Sequence, residues 1–225
     1  MSIEFEQVFS PVLLSAKTVG VSALLFLLLG VPLAYILSIK KLKFRWLLDT
    51  IVTMPLIFPP IAVGFFLLLF LGKNSIIGQL LLKANIEIIF SFSGIVIASF
   101  IAGLPLMVKP LQSSIEQFPK EIQEASYICG RSEIYTFLMV VLPTIKNSLI
   151  VSLLIASARA LGEVGITLML GGNIMGKTDT VSLAIYNAVF DADYDLAMML
   201  SGVLVFISLL FFIALHWFNT KERLI

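Results

Sequence analysis

Residues 171–178 read GGNIMGKT, which satisfies the pattern G-x-x-x-x-G-K-[ST] of a phosphate-binding loop. In such a loop backbone amides cradle phosphates, the lysine reaches the terminal ones and the hydroxyl holds Mg²⁺, so the chemistry on offer is nucleotide hydrolysis. That chemistry needs a βαβ unit around the loop and a carboxylate for the metal. The residues before Gly171 form a long apolar run, and no soluble stretch remains to build a sheet. The octet therefore reads as a decoy, and ATP chemistry falls to a partner. Asp191, Asp193 and Asp195 in DADYDL offer calcium ligands at alternate positions, but an EF-hand loop wants glycine sixth and glutamate twelfth, where Leu196 and Gly202 stand. They read as a solvated acidic rim. The single cysteine, Cys129, excludes an internal disulfide and a cysteine-only metal cage. The single histidine, His216, sits in the last apolar run, where packing explains it. No catalytic residue, metal or cofactor is expected.

The elements that hold these residues are set by composition. Of 225 residues 59% are hydrophobic and 13% charged, against about 45–50% and about 25% in soluble domains. The charges fall in short patches between apolar runs, the layout of a polytopic membrane protein. A bilayer core needs about 20 apolar residues in a helix. Runs of that order lie near residues 12–37, 47–71, 88–108, 145–168 and 196–218, which gives five spans. A half-span at 76–82 or 181–189 would make six. The start, MSIEFEQ, carries acids where a signal peptide carries positive charge, so the first run is expected to be a retained span.

Cytoplasmic loops hold the excess of lysine and arginine. Lys40, Lys41, Lys43 and Arg45 share one side with Lys109, Lys120, Arg131, Lys146, Lys221 and Arg223; Lys73, Lys83 and Lys177 lie opposite. The expected topology puts the N-terminus outside, the C-terminus in the cytosol and residues 119–143 in the cytosol. The net charge of +1, with no basic stripe, excludes nucleic acid as an expected partner and leaves membrane lipid.

The cytosolic insert reads as helix, glycine corner, helix. Pro119 suits a helix start and Gly130 the position just past an end. Ile122, Ala125 and Cys129 fall on one face, and Ala125, Ser126 and Gly130 are small enough for another backbone to approach. Ser132 can cap a second helix that runs to Leu142 and Pro143, where proline breaks or kinks it. Taken alone, these residues also suit an amphipathic loop lying on the membrane. Their order says more. Glu124-Ala125-Ser126, three residues, Gly130, nine residues, then Val140-Val141-Leu142-Pro143 resembles the EAA motif of ABC importer permeases, with Ser126 for the second alanine and Val140 for isoleucine. The resemblance implies a coupling helix that docks in a cleft of a cytoplasmic ATPase subunit through Glu124, Ala125, Ser126, Gly130, Leu142 and Pro143.

Farther along, Ser148, Ser152, Ala156 and Ala160 form a small-residue stripe, suited equally to a homodimer face around a pore and to internal packing. Arg159 and Glu163, four apart within a span, either neutralise each other or set the field an anion meets. Pro55, Pro59, Pro60 and Pro105 bend spans, which serves gating or kinked packing alike. The stretch ARALGEVGITLMLGGNI is similar to the molybdate/tungstate permease subfamily, with Val164 in place of a phenylalanine; sulfate permeases share ARALGE and GNI.

The resemblance covers nearly the whole chain. It implies one permease domain over residues 1–225, an all-α polytopic membrane protein with the type I ABC importer fold and no enzymatic activity of its own. Implied with it are a homodimer, cytoplasmic ATPase subunits, an extracytoplasmic oxyanion-binding protein and a molybdate or tungstate cargo, sulfate being the alternative. Pro55, Pro59, Ser157, Arg159, Glu163 and Asn173 are the expected translocation-path residues. An ion-coupled secondary transporter would instead want inverted repeats and midplane carboxylates, and neither is found.

Overall fold

The computed structural model describes residues 5–40 and 42–222, so Lys41 and Arg223, both used in the charge count, and the first four residues of MSIEFEQ lie outside the described residues. All regular structure among the described residues is helical. The first helix, α1 (Glu6–Ser38), has a mean hydropathy of 2.3. It widens into a π turn at Phe26–Gly30 just before Pro32. A proline inside a helix lacks an N–H and presses on the carbonyl four residues earlier, here Leu28, and a wider turn relieves that pressure. The same device recurs at Phe137–Val141 ahead of Pro143.

The expected span at 47–71 is two helices, α2 (Arg45–Ile57) and α3 (Pro60–Leu71). Phe58 and Pro59 between them are extended, because the residue before a proline is pushed out of the helical region and two successive prolines supply no N–H. Helix α3 then turns by 60° into α4 (Ile76–Lys83), whose first turn is capped by Ser75 accepting from the Gly78 amide at 2.8 Å. Helix α5 (Phe92–Glu116) is the central post, with 61% of its apolar window buried against α1, α2 and the later helices. Its Met107, Val108 and Leu111 are fully buried with Phe26, Leu37 and Ala34 of α1.

After the insert, α8 (Lys146–Leu161) lies along α5. Ser152 and Ala156 are wholly buried there and Ala160 nearly so, and Ser99 of α5 donates to the Ala160 carbonyl at 3.4 Å. The small-residue stripe is thus internal packing within one chain. The expected span at 145–168 stops at Leu161; after a break come α9 (Gly165–Gly171), α10 (Val181–Phe190) and α11 (Tyr194–Glu222). At 1.5 Å per residue α4 and α10 reach only about 12 and 15 Å, half of a bilayer core, so neither supplies a sixth span.

Among the described residues α1, α5 and α11 are long and apolar enough to cross a membrane alone, and two bent pairs raise the number to as many as five. The bent pairs are Pro60–Leu71 with Ile76–Lys83 and Glu133–Thr144 with Lys146–Leu161; the runs expected at 47–71 and 145–168 are divided elsewhere, at Phe58–Pro59 and Gly162–Val164. Hydropathy sees one apolar run where proline or glycine has divided the backbone. Only 11% of the α11 window is buried, which leaves its apolar surface to lipid or to another chain.

Candidate functional site

The insert is built by local caps. Helix α6 (Lys120–Ile128) starts at Pro119 and ends in a Schellman motif: Gly130 N–H donates to Tyr127 O at 2.9 Å and Arg131 N–H to Ser126 O at 3.2 Å. Gly130 takes the left-handed conformation this requires, with φ of 78°. Ser132 then caps α7 (Glu133–Thr144) by accepting from Tyr135 N–H at 3.2 Å. The Arg131 guanidinium lies 4.6 Å from the centre of the Tyr135 ring and braces the corner. Ser126, the residue that departs from the EAA pattern, shares a hydrogen bond of 2.9 Å with the buried Thr136, which ties α6 to α7.

What this elbow leaves outside is an exposed, partly apolar face. Ile128 is 87% exposed, Ile122, Ala125 and Cys129 are exposed with it, and an added Cβ at Gly130 would meet nothing within 4 Å. Among the described residues Glu124 forms no ion pair. Behind α6 a cavity of about 330 Å³ lies between it, α7 and the ends of α1 and α5, and Phe118, in the short link from α5, is buried in the core. Burial, and then the Glu133 carboxylate, raise the Tyr127 phenol above its ordinary value, so it remains a neutral group at physiological pH. Pro143 does not itself end the helix. Leu142 and Pro143 lie in the last turn of α7, and the chain bends by 79° at Ile145 into α8. One wide turn and one sharp bend thus lie between α6 and α8.

The expected translocation-path residues are partly gathered. Arg159 on α8 contacts Glu163 at 2.6 Å; the Glu163 side chain is 1% exposed and that of Arg159 31%. Glu163 also accepts from the Ile166 amide at 2.7 Å and so caps the start of α9 across the break. Helix α9 packs on α3, and Gly165 is so close that a methyl there would lie 2.8 Å from Pro60 Cβ. The breaks in the second and fourth spans therefore meet, with Pro59 and Glu163 each within two residues of that contact. Ser157 is buried on α8. Pro55 sits inside α2, away from the break. Asn173, at φ of 54°, forms a reciprocal amide pair with Asn187 of α10 at 2.5 and 3.0 Å, so its side chain secures the turn between α9 and α10.

That turn contains the phosphate-loop look-alike. Thr178 Oγ1 donates to Gly171 O and accepts from Ile174 N–H, both at 2.8 Å, and Thr178 is fully buried. Its hydroxyl is consumed in closing the turn, and a helix precedes the octet where a nucleotide fold has a strand.

A further set escaped the sequence reading, in which Arg45 and Lys109 served only as markers of orientation. Lys109 pairs with Asp49 at 2.6 Å and Arg45 with Glu116 at 2.5 Å. Gln112 between them donates to Glu116 at 2.9 Å and to Leu37 O at 3.2 Å. These contacts clamp α1, α2 and α5 at the end beside the insert. The signal was present as helical spacing, with Arg45 and Asp49 one turn apart on α2 and Lys109, Gln112 and Glu116 on one face of α5.

Comparison with known proteins bears on the family and the fold. The family described as binding-protein-dependent transport system inner membrane component matches residues 27–223. The molybdenum transport system permease protein ModB of Azotobacter vinelandii is 32% identical over 90% of this chain and 90% of its own length. The sulfate transport system permease protein CysT of Salmonella typhimurium is 29% identical over 85% of this chain and 69% of its own. Among solved structures, a bacterial ABC transporter involved in the import of the acidic polysaccharide alginate superposes with a TM-score of 0.68 at 18% identity, over 99% of this chain and 81% of that one, a likeness of fold.

Proposed function

The chain belongs to the family of binding-protein-dependent transport system inner membrane components, and from that membership we propose that it is the permease subunit of an ATP-driven importer for molybdate or tungstate. As a member it is a multi-pass transport component and not itself an enzyme. In this reading the elbow faces the cytosol and the N-terminus lies outside. Two copies enclose the pathway, two ATPase subunits receive the elbows, and a binding protein delivers the anion from outside. The observation that carries it is the capped α6–α7 elbow, stiff at its corner and bare on its outer face.

ATP binding draws the ATPases together and the elbows with them; α7 and α8 pass the motion to the breaks at Pro59 and Gly162, and access alternates. Both halves of the cycle need a polar route, because moving an unpaired charge into a lipid-like medium costs on the order of tens of kcal/mol. Of the path candidates, the part-exposed Arg159 guanidinium is the group that meets the anion. Glu163, Ser157 and Asn173 hold its surroundings, and Pro55 and Pro59 shape the facing helices. The tetrahedral-oxyanion cargo is supported by the named activities of ModB and CysT, and molybdate is preferred because the ModB identity is the higher and its coverage fuller.

The test is uptake of labelled molybdate by proteoliposomes holding the chain, its ATPase and its binding protein. Tungstate at equal concentration should roughly halve uptake, whereas sulfate should need at least about a tenfold excess, a difference of about 1.4 kcal/mol. Preferential uptake of sulfate overturns the cargo assignment.

A further inference from the structure

At the end of the bundle opposite the elbow, the start of α1, the turn before α10 and the start of α11 surround a cavity of about 520 Å³. Among the described residues four carboxylates line it, Glu6, Asp179, Asp191 and Asp193, and no lysine or arginine does. Asp179 is the unusual member. The residue is 6% exposed, yet its Oδ1 has no hydrogen-bond partner among the described residues. Burial raises its pKa, while amide N–H groups of Asp179 and Gly176 act in the opposite sense by bonding the charged form. A buried carboxylate oxygen with an unused acceptor site, on a residue that lines an acidic cavity, calls for a cationic donor.

The shape of the site selects among cations. Among the described residues no three acidic, histidine or cysteine side chains stand close enough to hold one metal ion. The carboxylates are spread around a space larger than a bare ion, and one oxygen of Asp193 already caps α11 through Leu196 N–H at 3.2 Å. A long side chain with several donors bridges such a spread, and guanidinium or ammonium groups are the chemistry that does so. A doubly charged oxyanion is repelled by such a lining.

We propose that this cavity is the socket in which the external binding protein seats an arginine or lysine side chain when it docks. The inference rests on the importer reading and its topology, which put this end outside. Opposite charge across the contact would steer the loaded binding protein to the permease and fix its register. The exposed rim, Glu6 and Asp191, attracts the incoming cation; Asp179 at the floor receives it.

The experiment uses the assembled permease–ATPase complex in nanodiscs and its own binding protein loaded with molybdate. Docking affinity is measured at low and high salt for the natural chain, Asp179→Asn and Asp191→Asn. Each substitution is expected to weaken docking by about tenfold or more and to flatten its salt dependence. Because Asp179 is buried, Asp191→Asn at the exposed end of α10 decides the matter if Asp179→Asn fails to assemble. Docking within twofold of the natural chain for Asp191→Asn overturns the socket. So does docking that is abolished by a chelator and restored by calcium or magnesium, which would make this a metal site. A cysteine at 191 in a Cys129→Ser chain, probed with an impermeant maleimide, separates the two levels. Labelling only from the cytosolic side defeats the topology and the socket together, whereas outside labelling with unchanged docking defeats the socket alone.

Discussion

Gly130→Trp should leave the chain inserted and folded but lower ATP-driven uptake by about 100-fold or more, the equivalent of about 2.7 kcal/mol of docking energy. Two terms have to be kept apart. The first is backbone strain: φ of 78° at Gly130 costs any L-residue about 1–2 kcal/mol. The second is the volume added where the partner sits. Nothing in the chain lies within 4 Å of a Cβ at this position, so the indole displaces only what docks there. Gly130→Ala carries the first term with little of the second, and its uptake should stay within about threefold of the natural chain. Co-purification of the ATPase should be lost for Trp and kept for Ala. Equal loss in both would mean that the corner's conformation, not its open face, is what the partner needs.

Arg159→Ala should destabilise the membrane-embedded part by about 3 kcal/mol, read as a lower midpoint in thermal unfolding of the purified chain. It leaves Glu163, whose side chain is 1% exposed, without its counter-charge. The pair itself is worth much less than this, because most of the loss is the unpaired buried carboxylate. Arg159→Met with Glu163→Gln should therefore recover much of the stability; the glutamine oxygen still accepts from Ile166 N–H and holds the start of α9. If the double variant is stable but transports poorly, the guanidinium serves the anion as well as the fold. If Arg159→Ala melts like the natural chain, the contact with Glu163 holds nothing.

The parts that were legible in advance are those fixed by near neighbours. Pro119, Gly130 and Ser132 define a start, a corner and a second start within 14 residues, and helix caps act over that range. The helical, polytopic nature of the chain was legible for a similar reason, since each long apolar run announces itself. The breaks at Phe58–Pro59 and Gly162–Val164 were not. The prolines were visible but pointed to bends rather than to a division into separate helices, and averaging over a span hides a three-residue interruption. Where the chain goes after the second break is set by contacts distant in sequence, Gly165 against Pro60 and Ser182 donating to Leu161 O at 2.9 Å. The stripe on α8 was ambiguous because small residues permit close approach without naming the partner; only the seating of Ser99 on Ala160 shows it to be α5.

Cys129 provides the most direct test, because it is the only cysteine in the chain and stands exposed at the end of α6. An impermeant maleimide should leave it unlabelled in intact cells and label it in inside-out vesicles stripped of ATPase. Adding the ATPase back should protect it. Labelling from outside intact cells, or labelling that the ATPase leaves unchanged, would contradict a cytosolic elbow seated in its motor.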